Sequence, residues 1–173
     1  MLLLYIGLCL IAVVLILSLI IGKKMVIEQQ IDITIRTDEA FNYLVLTKNQ
    51  DNFSVWNMAD PEMKKTYKNE DGKIGFIYTW DSTNKNVGAG EQEITAIESG
   101  KSVTYEIRFK RPMQNTASGK FIIEKLIDNR SRITWGFYSE SPFPMNLFQP
   151  IFKSMLRKDM SKSLENLKVL LEK

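Results

Sequence analysis

The chain has 173 residues, of which 45% are hydrophobic and 25% charged, and it carries a formal net charge of +3. Those averages hide two populations: nineteen of the first 21 residues are hydrophobic, and every Lys, Arg, Asp and Glu falls after residue 22. The remaining length suits a single core and excludes a multidomain enzyme. The absence of histidine removes Ser-His-Asp and Cys-His chemistry and His-ligated zinc or iron.

From Leu2 to Ile21 the apolar run is broken only by Gly7 and Ser18. As a helix it would reach about 30 Å, the hydrocarbon thickness of a bilayer. A cleaved leader would show a basic start, a shorter apolar stretch and a small-residue cleavage site, and none of these is present. The expectation is an uncleaved transmembrane anchor over residues 1–22, with the lipid bilayer as partner of residues 2–21, and a juxtamembrane linker over residues 23–28. Lys23 and Lys24, directly after the span, predict a single-pass membrane protein whose domain, residues 26–173, faces the cytoplasm. Cys9, the only cysteine, lies in the span, so the domain can form no internal disulfide.

Residues 26–36 alternate through Ile27, Gln29, Ile31, Ile33 and Ile35, the period of a half-buried strand. Thr37-Asp38-Glu39 offers a helix start, and Ala40, Phe41, Tyr43 and Leu44 continue at helical spacing. After a polar stretch containing Trp56, Met58 and Pro61, candidate strands follow one another between turn signals. Ile74, Phe76, Tyr78 and Trp80 share one face. So do Gln92, Ile94 and Ala96, then Val103, Tyr105, Ile107 and Phe109, then Gly119, Phe121 and Ile123, then Ile133, Trp135 and Phe137. The gaps are too short for crossover helices, which leaves an antiparallel meander. Glu91, Glu93, Glu106 and Arg108 fall on the opposite phase, as exposed cross-strand pairs.

From Ile151 to Leu171 apolar residues recur every three or four positions, so a long amphipathic helix closes the chain, with Pro150 where a first turn tolerates it. Its polar face alone carries +3. Its apolar stripe must lie on the one apolar surface available, the inward face of the sheet.

This α+β order is that of a helix-grip fold, a curved antiparallel sheet wrapped around a long C-terminal helix. Along it stand Ile35-Arg36-Thr37-Asp38-Glu39-Ala40-Phe41 followed by Trp56, Tyr78-Thr79-Trp80 followed by Gly88-Ala89-Gly90-Glu91, Val103 and Phe109 followed by Pro112, Ile133-Thr134-Trp135, Pro142-Phe143-Pro144-Met145-Asn146-Leu147, and Ser163-Leu164-Glu165-Asn166-Leu167-Lys168. In their order and spacing these motifs resemble the START-like, polyketide cyclase and lipid-transport (SRPBCC) superfamily. Ser163 stands where the pattern expects glycine. The resemblance implies an apolar cavity between sheet and helix that in relatives holds lipids, sterols, polyketides or other hydrophobic ligands.

The strand phases supply a candidate lining: Trp80, Gln92, Ile94, Tyr105, Ile107, Phe109, Phe121, Trp135 and Phe137. Met145, Phe148, Phe152 and Met155 join it from the helical end. Each of these residues also fits a solid core. Gly119 on the inward phase argues for open space, and Gln92 places there an amide that needs a partner. The expected function is a membrane-anchored binding module for a hydrophobic small molecule or lipid, with no catalytic residue, metal or cofactor nominated. The alternatives are a cyclase- or dehydratase-like enzyme in the same cavity, using Gln92 and Tyr105, and a partner-binding adaptor with a closed core. Acidic residues interrupt the basic helix face, which argues against nucleic acid as a partner. Oligomeric state is left open.

Overall fold

The computed structural model describes residues 5–6, 13–16, 20–127 and 129–173. Seven strands form one antiparallel sheet in the order β1-β7-β6-β5-β4-β3-β2: β1 Lys24–Ile33, β2 Lys64–Lys68, β3 Ile77–Asp81, β4 Ala89–Glu98, β5 Ser102–Arg111, β6 Asn115–Ile127 and β7 Arg130–Glu140. After Lys23 the described helices are α1 Thr37–Leu44, α2 Val55–Ala59 and α3 Gln149–Leu171, with 3-10 turns at Thr47–Asn52 and Met145–Phe148. The meander from β2 to β7 and the single long helix on one face make this a helix-grip arrangement.

The inward alternation dictates the core. Ile33, Ile94, Val103, Phe121 and Ile133 are fully buried and meet Leu44, Phe53, Leu164 and Leu167 from the helices and connecting turns, while Ile27 is buried in a second cluster with Met25 and Met160. Each such side chain contributes roughly 1.5–3 kcal/mol of burial. α3 packs chiefly along β1, where Ser161 donates to Gln29 Oε1 at 2.7 Å. At its far end Lys168 donates to the Asp32 carbonyl at 2.8 Å, and Glu172 accepts the Thr34 N–H at 2.6 Å. Ser163 replaces the expected glycine usefully: its hydroxyl donates to the Asp159 carbonyl (2.8 Å) and accepts the Val55 N–H (3.0 Å), joining α3 to the start of α2.

Two strand expectations are corrected, and one strand was not foreseen. Ile74 lies outside β3 and is exposed, because Gly75 at φ +86° turns the chain before the strand begins. Ala96 is exposed because a bulge between Ile94 and Ala96 reverses the phase and brings Ile97 inward instead. β2 (KKTYK) carries no apolar alternation to announce it, and Tyr67 holds it by stacking on Phe76 and Tyr78.

The anchor is corrected as well. Among the described residues no helix is long and apolar enough to cross a membrane, a crossing that takes about 20 residues. Most of the expected span, residues 2–21, lies outside the described residues. The single-pass, cytoplasm-facing localisation and the bilayer as partner are therefore withdrawn. β1 begins at Lys24, paired with Glu140, inside the stretch expected as a linker.

Candidate functional site

One end of the sheet gathers the close of β3, β5 and β7 with the start of β1, β4 and β6. Registration at that end sets Trp80 opposite Gly90, Gly90 opposite Phe109, Tyr78 opposite Gln92, Gln92 opposite Ile107, and Gly119 opposite Phe137, all on the inner face. A Cβ on Gly90 would come within 2.7 Å of the Trp80 indole, so the missing side chain is what lets that ring lie across β4. Phe109 meets Trp80 edge-on at 6.0 Å between ring centroids and lies tilted against Phe137 at 6.4 Å. Trp135 is edge-on to Trp56 at 5.8 Å and stacks on Phe121 at 4.9 Å.

Burial divides the expected lining into three groups. Ile94, Tyr105 and Phe121 are fully buried and belong to the packed core. Trp80, Ile107, Phe109, Trp135, Phe137 and Phe152 are half-buried and form an aromatic wall that α3 covers incompletely, with Met145 half-buried beside its start. Phe148 and Met155, expected to point inward, are 48% and 53% exposed. The inward stripe of α3 runs through Phe152, Leu156, Met160, Leu164 and Leu167, and Met155 sits about 100° off it. Gly119 does not open space: a Cβ there would lie 3.2 Å from Ile107 Cδ1, which already fills the position.

The polar groups on this face are mostly satisfied. Tyr105 donates to the Leu44 carbonyl at 3.1 Å, and burial pushes its hydroxyl pKa up. Tyr78 accepts from Asn57 Nδ2 at 3.2 Å. Its pKa is also raised, first by burial and then by the nearby Asp51 charge. Asn57 donates in turn to Asp51 Oδ1 at 2.6 Å, and Lys65, beside Trp80 in the register, pairs with Asp51 Oδ2 at 2.9 Å. Sequence reasoning missed this Asp51–Asn57–Lys65–Tyr78 network; only Tyr78 carried a signal, its shared phase with Trp80. Gln92 is the exception. Its side chain is only 8% exposed, and Nε2 has no acceptor within reach among the protein atoms. A buried amide donor left unpaired costs about 1–3 kcal/mol.

Buried polar side chains fix the rim of this end. Gln149 Nε2 donates to the Lys23 carbonyl at 2.8 Å and Asn146 Nδ2 to the Ile21 carbonyl at 2.7 Å, tying the start of α3 to the segment that enters β1. The outer face is of another kind. Arg108 is held by Glu91 (2.6 Å), Glu93 (2.8 Å) and Glu106, and this guanidinium keeps the Glu91 carboxyl below its ordinary pKa. Two surface depressions lie apart from the aromatic wall. One, of about 480 Å³, is bounded by Arg36, Lys125 and Arg130, and the other, of about 930 Å³, sits over Val26, Glu106, Ser118 and Tyr138 on the outer face. Among the described residues no cluster of His, Cys, Asp and Glu could hold a metal ion.

Residues 24–172 match the family described as polyketide cyclase/dehydrase and lipid transport. The chain belongs to that family. No curated protein matches it in sequence. Among solved structures, this polyketide cyclase/dehydrase and lipid-transport domain is similar to norcoclaurine synthase from Thalictrum flavum (11% identity, TM-score 0.63, covering 91% of this chain and 92% of that one). It is also similar to the protein jhp0584 of Helicobacter pylori (10%, 0.64, 84% and 87%) and to Aha1 from Colwellia psychrerythraea (14%, 0.58, 86% and 96%). At these identities the likeness is one of fold. Membership in the family is consistent with a hydrophobic-ligand-binding or cyclase-like role.

Proposed function

We propose that the protein is a binding module for a hydrophobic small molecule or lipid, which it holds against the aromatic wall between β3–β7 and the first half of α3 without transforming it. The observation that carries this reading is the half-covered state of Trp80, Phe109 and Phe137 on an inner face whose other end is fully packed. Large apolar side chains left partly open beside a rigid core are the usual surface of a ligand site.

Binding is favoured over catalysis by the state of the polar groups. The two buried tyrosines have raised pKa values, and Lys65 is neutralised by Asp51. That leaves no ready proton donor or acceptor near neutrality on the wall. The cyclase-like alternative drawn from Gln92 and Tyr105 loses Tyr105 to its bond with Leu44.

Titration of the full chain with Nile red, read by energy transfer from tryptophan, tests the proposal. The expected result is saturable one-to-one binding that Phe109→Ala and Phe137→Ala each weaken roughly tenfold, the worth of one lost aromatic contact. Binding that never saturates, or that ignores both substitutions, overturns it. Mass spectrometry of material extracted from the natively purified protein would then identify the natural ligand.

A further inference from the structure

We infer that the ligand of this site carries a neutral carbonyl oxygen, which Gln92 Nε2 binds while the aromatic wall takes the apolar body. The inference rests on the binding role proposed above and narrows it to a ligand class.

Gln92 sits midway along the wall. Its partners in the register are Tyr78 and Ile107, and Gly90 and Ile94 flank it on β4. It is more than nine-tenths buried, and its Nε2 is itself buried without a hydrogen-bond partner. An amide in such surroundings is satisfied by an acceptor that arrives with the ligand.

Charge decides which acceptor. A carboxylate or phosphate brought into this wall would need a free cation beside it. The lysine on this face beside Trp80, Lys65, is already paired with Asp51. The pair leaves no net positive charge for an anionic headgroup. A ketone, ester or amide oxygen needs only the single donor that Gln92 holds out, so an apolar or aromatic carbonyl compound fits where a fatty-acid anion does not.

A matched pair of probes tests this on the full chain: the naphthyl ketone prodan, and the same dimethylaminonaphthalene bearing a propyl chain in place of the propionyl group. The expected result is that the ketone binds about tenfold tighter than its carbonyl-free analogue, as one neutral hydrogen bond to a buried donor predicts. In Gln92→Leu that ratio falls to about one, and Gln92→Met serves if the leucine variant does not fold. Equal affinities in the unsubstituted protein, or a ratio that survives loss of the amide, overturn the carbonyl assignment and leave the binding role standing. Failure of both probes and of Nile red to bind overturns the binding role itself, and the carbonyl assignment with it.

Discussion

The two halves of α3 meet the same sheet on different terms. From residue 160 on the helix is sealed: Met160, Ser163, Leu164 and Leu167 are each at most 1% exposed, Phe53, Phe121 and Ile133 pack with Leu164 and Leu167, and Met25 and Ile27 pack with Met160. Before it, Ile151 is 67% exposed and Phe148 and Met155 about half so, and Phe109 and Phe137 on the strands beyond β1 stay half-buried, although Met25 and Ile27 of β1 are buried under Phe152 and Leu156. The division follows from what lies on the other flank. The second half is backed by α1, the 3-10 turn and the start of α2, whereas among the described residues the first half lies on β1 and β7 with Trp56 at its edge and is tied down by the rim bonds of Gln149 and Asn146. One continuous helix can thus serve as core at one end and as the wall of a recess at the other.

Truncation at the sealed end should separate the halves most sharply. Phe121→Ala removes a fully buried ring and should cost about 3–5 kcal/mol in denaturant unfolding; a cost under 1 kcal/mol would mean the sealed half is not packed as described. Ser163→Ala leaves the Val55 N–H without its partner, with an expected loss of about 1–3 kcal/mol and little change in Nile red affinity. At the open end the pattern should invert. Phe109→Ala should weaken the dye roughly tenfold while costing less than half as much stability as Phe121→Ala, because its ring is already partly exposed.

The smallest effect belongs to the outer face, which should leave both halves of α3 alone. Tyr138 donates to Glu28 Oε1 at 2.6 Å, and burial together with that carboxylate pushes its pKa up to about 12. An acid whose folded pKa is raised stabilises fully below its unfolded value of about 10 and loses that contribution as the pH climbs through 12. Tyr138→Phe should therefore flatten the fall of stability over that interval, measured by urea unfolding, with probe binding at neutral pH unchanged. The group is partly open to solvent, so the change should be slight.

The sequence disclosed what alternation alone could carry. Trp80, Phe109, Trp135 and Phe137 were legible as inward residues because a strand fixes the face of every second position. Ile74 and Ala96 misled because a left-handed glycine and a bulge broke that rule inside runs that otherwise keep their alternation. Met155 was misplaced because a helix's stripe is broad in sequence while its line of contact is narrow. The Asp51–Asn57–Lys65–Tyr78 network is assembled from separate segments of the chain, so no local spacing could announce it. The apolar start read as a membrane span, a reading that composition supports and that the described helices do not.

The bonds at the far end of α3 have an effect beyond packing. A sheet that is not closed into a barrel has two edge strands whose unpaired backbone groups invite another chain to add on. On β1, Lys168 occupies the Asp32 carbonyl and Glu172 the Thr34 N–H just past the strand. On β2 the strand is only five residues long, and three of them are lysines. One margin is stapled by the helix and the other is short and cationic, which equips the sheet to resist strand-on-strand aggregation.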